Sequence, residues 1–285
     1  MNRIATLLCI PLAIGISAGL APGQEDTREE AEMEGAKDER FVADWENNFP
    51  LEFDMFTFAR INYYGGSWKT DWPYSDVNLS YRLQQLTSLG VNREPEILYL
   101  TDEKLFDYPF VFLTKPKRNT YFSPDEGEKL REYLLNGGFM LVDDFWGRDM
   151  WNDFSSLIRE TVFTGSYARE PVELSYDHPI FHTIFEMDKI PQVPSHDAWL
   201  GTPYEGTAEK TYEVKVAPWD QEYLAVPHFM AYYDDDGRMC MLVCANNDLA
   251  DGWEEEGFAT WFFNAFSEKY CFPMAINILF YVMTH

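Results

Sequence analysis

Residues 110–144 read FVFLTKPKRNTYFSPDEGEKLREYLLNGGFMLVDD, and they decide the fold. Residues 110–114 are a continuous apolar run, the pattern of a strand covered on both faces. Ser123-Pro124-Asp125-Glu126 supplies a cap, a proline at the first helical position and acidic first-turn residues, which predicts a helix running to Asn136. Gly137-Gly138 stops that helix, and residues 139–142 make a second buried strand that carries Asp143-Asp144 at its carboxyl end. Strand, helix, strand at this spacing is a parallel unit with a right-handed crossover.

The same rhythm extends in both directions. Residues 55–61 (MFTFARI) predict a strand, followed by a glycine-containing loop at residues 63–68. Asp76 is placed to cap a helix whose Val77, Leu79, Leu83 and Leu86 form an apolar stripe ending near Gly90. Residues 96–100 (EILYL) predict another buried strand, and a further helix is expected near Met150. Strands at residues 229–233 and 239–244 are joined by a turn at 234–237, and helices at 257–268 and 273–283 close the chain. The last of these, MAINILFYVM, is apolar nearly all round yet too short to span a bilayer, so it is expected to pack in the interior. The expected architecture is an α/β three-layer sandwich with a largely parallel central sheet, one domain over residues 49–285. Ligands of such sheets bind beyond the carboxyl ends of the strands, which points to the loops after Ile61, Leu100, Thr114 and Val142.

Of the 285 residues, 22 are Lys or Arg and 48 are Asp or Glu, a formal charge of −26 that excludes nucleic acid as a partner, because neutralising phosphates takes clustered basic residues. Residues 1–23 carry one basic residue, an apolar stretch from Ile4 to Leu20 and then Ala-Pro-Gly, the layout of a secretory signal. An exported, periplasmic or secreted protein with no stable membrane span after signal removal is therefore expected. Residues 24–48 are an acidic linker, with eight acidic side chains against Arg28, Lys37 and Arg40 between residues 24 and 40, and have too little to bury to repay ordering. Cys240 and Cys244 share one strand, about 13 Å apart and too far to bridge. Cys271 is the partner of either if a disulfide forms; otherwise all three are buried thiols.

Several motifs together resemble the bacterial family known as domain of unknown function 4159. They are Phe58-x-Arg60-x-x-Tyr63, Trp68-x-Thr70-Asp71-x-Pro73-x-x-Asp76-x-Asn78-Leu79, Leu105-Phe106-Asp107-Tyr108-Pro109-Phe110 and Leu134-x-x-Gly137-Gly138-Phe139-x-x-x-Asp143-Asp144. Asp177-His178-Pro179-Ile180-Phe181-His182 and Asn247-Asp248-Leu249 with Gly252-Trp253 continue the likeness. The resemblance implies a fold similar to class I glutamine amidotransferases and flavodoxin-like sheets, with no established activity. Those amidotransferases place a cysteine on a strand-to-helix elbow, whereas this chain has Asp143-Asp144-Phe145-Trp146 there. A carboxylate pair cannot perform thiol chemistry, so glutaminase activity is not expected.

Asp143 and Asp144 are the candidate catalytic carboxylates, of which strand alternation sends at most one into a cleft; the other reading is a cap for the helix near Met150. Tyr63, Trp68, Asp71, Asp76, Asn78, Trp146, Asn247, Asp248 and Trp253 are candidate binding residues, since aromatic faces beside acceptors suit carbohydrate rings. No cofactor and no metal are expected; the hints of a metal site are the spacing of His178 and His182, with Asp143, Asp144 or His196 as a third ligand, and the carboxylate of Asp143 or Asp144, which could bind a divalent ion, act as a general base or accept a sugar hydroxyl. Cys244, with His228 or His196 as base, is the one thiol placed like a nucleophile, and its apolar setting argues against reactivity. The leading expectation is an exported binding or interaction module for an envelope protein or carbohydrate, without the amidotransferase nucleophile. The alternative is a carboxylate- or metal-dependent hydrolase acting on a glycan or peptide at the cell envelope.

Overall fold

The computed structural model describes residues 55–213 and 215–285. The expected signal, the expected acidic linker and the first residues of the expected domain lie outside the described residues, as does Cys9.

Among the described residues nine strands form two sheets. A two-stranded parallel sheet joins β1 (Met55–Phe56) to β3 (Gly90–Val91), and a seven-stranded sheet has the order β4-β2-β5-β6-β9-β8-β7. Its members are β2 (Ala59–Ile61), β4 (Glu96–Leu98), β5 (Phe110–Thr114), β6 (Phe139–Phe145), β7 (Val172–Glu173), β8 (His228–Tyr233) and β9 (Met239–Ala245). β4, β2, β5, β6 and β9 run parallel, while β8 is antiparallel to β9 and β7 to β8. The chain is thus α/β with a mostly parallel sheet. Every residue of β5, β6 and β9 is buried, which is why those segments carry unbroken apolar runs instead of alternation.

Five helices matter for the site: α1 (Tyr74–Leu86), α2 (Pro124–Leu135), α3 (Arg148–Leu157), α4 (Leu249–Glu254) and α5 (Phe272–Thr284). α2 begins with a full capping box, in which the Ser123 side chain accepts from the Glu126 N–H and the Glu126 carboxylate accepts from the Ser123 N–H. After it, Gly138 is obligatory, because a Cβ there would lie 2.4 Å from the Tyr133 ring. α5 is buried along most of its length, as its composition requires. Among the described residues no helix is long and apolar enough to cross a membrane.

The structure corrects four local expectations. The segment 55–61 is two short strands in different sheets, β1 and β2, rather than one. α1 starts at Tyr74, so Asp76 is not its cap but a buried first-turn residue paired with Arg60. Residues 96–100 contribute a strand only to Leu98. The helix expected at 257–268 is a short turn, Thr260–Phe262, that widens into a π-helical run, Phe263–Cys271, continuous with α5. Cys240, Cys244 and Cys271 are free and buried, so among them no disulfide forms.

α4 packs against α1 and against the π-helical run, and one glycine permits that approach. A Cβ on Gly252 would lie 2.1 Å from Cys271 Sγ and 2.7 Å from its Cβ. Gly252→Ala is therefore expected to cost about 1–3 kcal/mol through overpacking. Adding Cys271→Gly, which removes both the sulfur and the Cβ, should cost less than the sum of the two single changes in a denaturant melt, whereas additive costs would show that the clash is not the cause.

Candidate functional site

The carboxyl ends of the parallel strands place unusual backbone beside charge. Among the described residues only four non-glycine residues have positive φ: Asp71 (63°), Lys115 (52°), Asp144 (58°) and Asn246 (56°). Each such residue costs of order 1–3 kcal/mol and persists only where its surroundings enforce it. Lys115 directly follows β5, Asn246 directly follows β9, and Asp144 lies in β6. Asp71 sits in the loop between β2 and α1.

A register shift explains how the acidic doublet is used. β6 and β9 pair evenly through Val142, slip at Asp143-Asp144 and resume with Phe145 against Ala245. Bulges of this kind re-aim a side chain. Asp143 is fully buried and its Oδ2 accepts from the N–H groups of Leu249 (2.7 Å) and Ala250 (3.0 Å), the first turn of α4. It serves a helix start, though that of α4 and not of the helix near Met150. Asp144 instead meets the Lys115 ammonium at 2.8 Å and lines a cavity of about 540 Å³. Lys115, Trp146, Arg148, Glu213 and the exposed Trp219 also line it. Asn246 ties the two strand ends together, its Oδ1 accepting from Gly147 N–H at 2.8 Å.

Behind Lys115 the charge is nearly all negative. One carboxylate oxygen from each of Asp71, Asp144 and Asp248 lies within 4.8 Å of the others, and Asp71 groups in the same way with Asp251 and Glu254. A second cavity of about 390 Å³ opens beside Asp71, Lys115, Asp251, Glu254 and Glu255. Asp248 is the N-cap of α4, its Oδ1 accepting from Asp251 N–H at 3.0 Å. Its Oδ2, like Asp71 Oδ2, is buried with no hydrogen-bond partner among the described residues.

Burial pushes the carboxyls of Asp143, Asp248 and Asp251 well above the usual range, and neighbouring aspartates add to it. Burial, then the charge of Asp144, raises Asp71 and Glu213 each to about 7. Burial alone would lower Lys115, but the carboxylates of Asp144 and Asp248 outweigh it and push the amine up.

Glu213 gives a test of this electrostatic setting. Its carboxyl keeps a proton in the folded chain that the unfolded chain releases from about pH 4.5 upward. Stability from this group is therefore present below that pH and lost as pH rises to about 7. Glu213→Gln should remove about 2 kcal/mol of that decline, a value reduced because the side chain is partly exposed. Melting curves from pH 4 to 8 that run parallel for the two proteins would refute the placement.

The other sequence candidates divide between this site and the framework. Tyr63 is buried with its hydroxyl donating to Thr114 O at 2.6 Å, and Trp68 is buried with its carbonyl accepting from Arg60. Asn78 donates to Trp253 O at 3.0 Å, and Trp253 lies in the core with its Nε1 donating to Cys271 O. Asn247 holds the chain near Val193 by accepting from its N–H and donating to Pro191 O. Tyr63, Trp68, Asp76, Asn78, Asn247 and Trp253 thus shape the loops, while Asp71, Asp144, Trp146 and Asp248 reach the cavities or the carboxylate cluster.

His178 and His182 do not join the aspartates. His178 Nδ1 accepts from Ile180 N–H and its Nε2 meets the Tyr233 hydroxyl at 3.4 Å, while His182 bonds Glu186 and Tyr176 O, so both rings are engaged away from the aspartates. Proline at 179 makes only a single 3₁₀ turn there, which is why the four-residue spacing does not produce a shared helix face. Cys244 is fully buried, and burial followed by the charge of Asp143 pushes its thiol well up, which makes it a poor nucleophile. Lys115, Glu213, Asp251 and Glu254 were not singled out by sequence. Position supplied a cue for Lys115 alone, as the first residue of a loop expected to face ligands.

No curated protein matches the chain. Residues 57–283 match the family model described as Domain of unknown function (DUF4159).

Proposed function

We propose that this chain, which belongs to the DUF4159 family, is an exported carboxylate-dependent hydrolase acting on a glycan or peptide at the cell envelope. The observation that carries it is that Asp144, Lys115 and Glu213 line one cavity at the carboxyl ends of β5 and β6. The order β4-β2-β5-β6-β9 supports the finer fold assignment, since it is the 2-1-3-4-5 order of flavodoxin-like sheets, whose ligands sit where the strand order reverses. Asp71, Lys115 and Asp144 cluster near that reversal, between β2 and β5.

In this scheme Asp144 orients the attacking water and accepts its proton as the water adds. Lys115 stabilises negative charge that develops on the substrate oxygen. Glu213, which burial and then the charge of Asp144 raise to about 7, delivers a proton to the leaving group. Trp219, 78 % exposed and lining the same cavity, offers a face for a sugar ring. The secretory-signal layout of residues 1–23 supports a substrate outside the cytoplasm.

A panel of oligosaccharides and peptides incubated with the full chain should reveal turnover that falls about 10²–10⁴-fold in Glu213→Gln. Retention of a ligand without any product would replace the hydrolase by a binding module.

A further inference from the structure

We infer that Asp71, Asp144 and Asp248 together hold a hard divalent cation. Three elements far apart in sequence, the β2–α1 loop, the bulge of β6 and the cap of α4, bring one carboxylate oxygen each to within 4.8 Å of the others. Asp248 is 1 % exposed, yet its Oδ2 has no hydrogen-bond partner among the described residues, and Asp71 Oδ2 is in the same position. A buried carboxylate oxygen without a donor costs free energy that a cation recovers. Lys115 does not serve in the cation's place, because its single charge contacts Asp144 and leaves three carboxylates facing one ammonium.

The donor set fixes the class of ion. Oxygen ligands without imidazole or thiolate suit magnesium, calcium or manganese and not zinc or copper. Three carboxylates leave coordination positions for water and for a substrate oxygen. The cation would thus polarise the water that Asp144 orients, a consequence that rests on the hydrolase proposed above; binding of the ion itself does not.

The test uses the full chain stripped with chelator and titrated calorimetrically with magnesium, calcium or manganese chloride, without substrate. Binding should raise the melting temperature by about 5–10 °C at a hundredfold excess over Kd. Asp71→Asn and Asp248→Asn should each weaken binding at least about tenfold, and His182→Ala should leave it unchanged. Asparagine suits the left-handed backbone of Asp71 and can still cap α4, so both variants are expected to fold. If Asp248→Asn does not fold, Asp71→Asn decides alone. No heat and no melting shift up to about 10 mM, above the range of the weakest calcium modules, would overturn the site. A loss confined to Asp251→Asn and Glu254→Gln would also overturn it, by moving the ion to the neighbouring group. Cation binding without turnover would sink only the hydrolase, and chelator-insensitive turnover without cation binding only this site.

Discussion

Arg60→Met should lower the unfolding free energy by about 3–5 kcal/mol, the cost of breaking a buried ion pair from one side. Arg60 and Asp76 are both fully buried. The guanidinium grips the Asp76 carboxylate with two nitrogens, Nε to Oδ2 at 2.9 Å and Nη2 to Oδ1. It also donates to the carbonyls of Trp68 (2.8 Å) and Thr70 (2.7 Å) and to Ser75 Oγ (2.9 Å). Methionine fills part of the volume but takes the guanidinium donors from two carbonyls and leaves the buried Asp76 carboxylate with the Ser75 hydroxyl (2.8 Å) in place of a charged partner. The same bonds fix the loop that carries Asp71, so the variant should lose cation affinity as well as stability. Arg60→Met with Asp76→Leu should recover much of the stability, because it removes both charges, but not the loop geometry. Urea melts of the three proteins decide the matter: a single-variant cost below about 1 kcal/mol would mean that the pair does not organise the loop.

Arg60 also shows where sequence reasoning stops. An aspartate just ahead of an apolar stripe at helical spacing looks like an N-cap, and nothing local reveals a partner 16 residues upstream. By contrast, the stretch from Phe110 to Asp144 was legible because its signals are local: a cap followed by proline and acidic first-turn residues, a glycine pair that ends the helix, and apolar runs long enough to mark strands buried on both faces. The same runs located the carboxyl ends of β5 and β6, and hence the loops that face the cavities. Strict alternation applied to Asp143 and Asp144 could not show the bulge, since a register slip depends on how β9 pairs, about 100 residues later. Glu213 lies in irregular chain with no periodicity to mark it, and Asp251 and Glu254 belong to a six-residue helix too short to display a stripe.

The charge distribution connects fold and site. Acidic residues outnumber basic ones more than twofold over the chain, so most carboxylates must be on the surface. Asp71, Asp144, Asp248, Asp251 and Glu254 are instead gathered behind a single lysine at one end of the sheet. Natural folds tolerate such repulsion where a proton or a cation relieves it, and three left-handed residues in the same place indicate geometry maintained at a cost.

The two halves of the acidic doublet should therefore fail in opposite ways. Asp143→Ala strips the acceptor from two buried N–H groups at the start of α4 and is expected to cost about 2–4 kcal/mol. Asp144→Asn keeps the left-handed backbone that asparagine tolerates and removes one charge from a crowded cluster. Its stability should stay within about 1 kcal/mol of the parent, because the contact it loses is to a lysine that is 34 % exposed. Its turnover should nevertheless fall about 10²–10⁴-fold, and its cation affinity should fall with it. Denaturant melts and rates measured on both variants separate the roles. If Asp144→Asn proved destabilised and fully active while Asp143→Ala was stable and inactive, the bulge would be aiming the other carboxylate at the substrate, and both the hydrolase and the cation site would have to be rebuilt around Asp143.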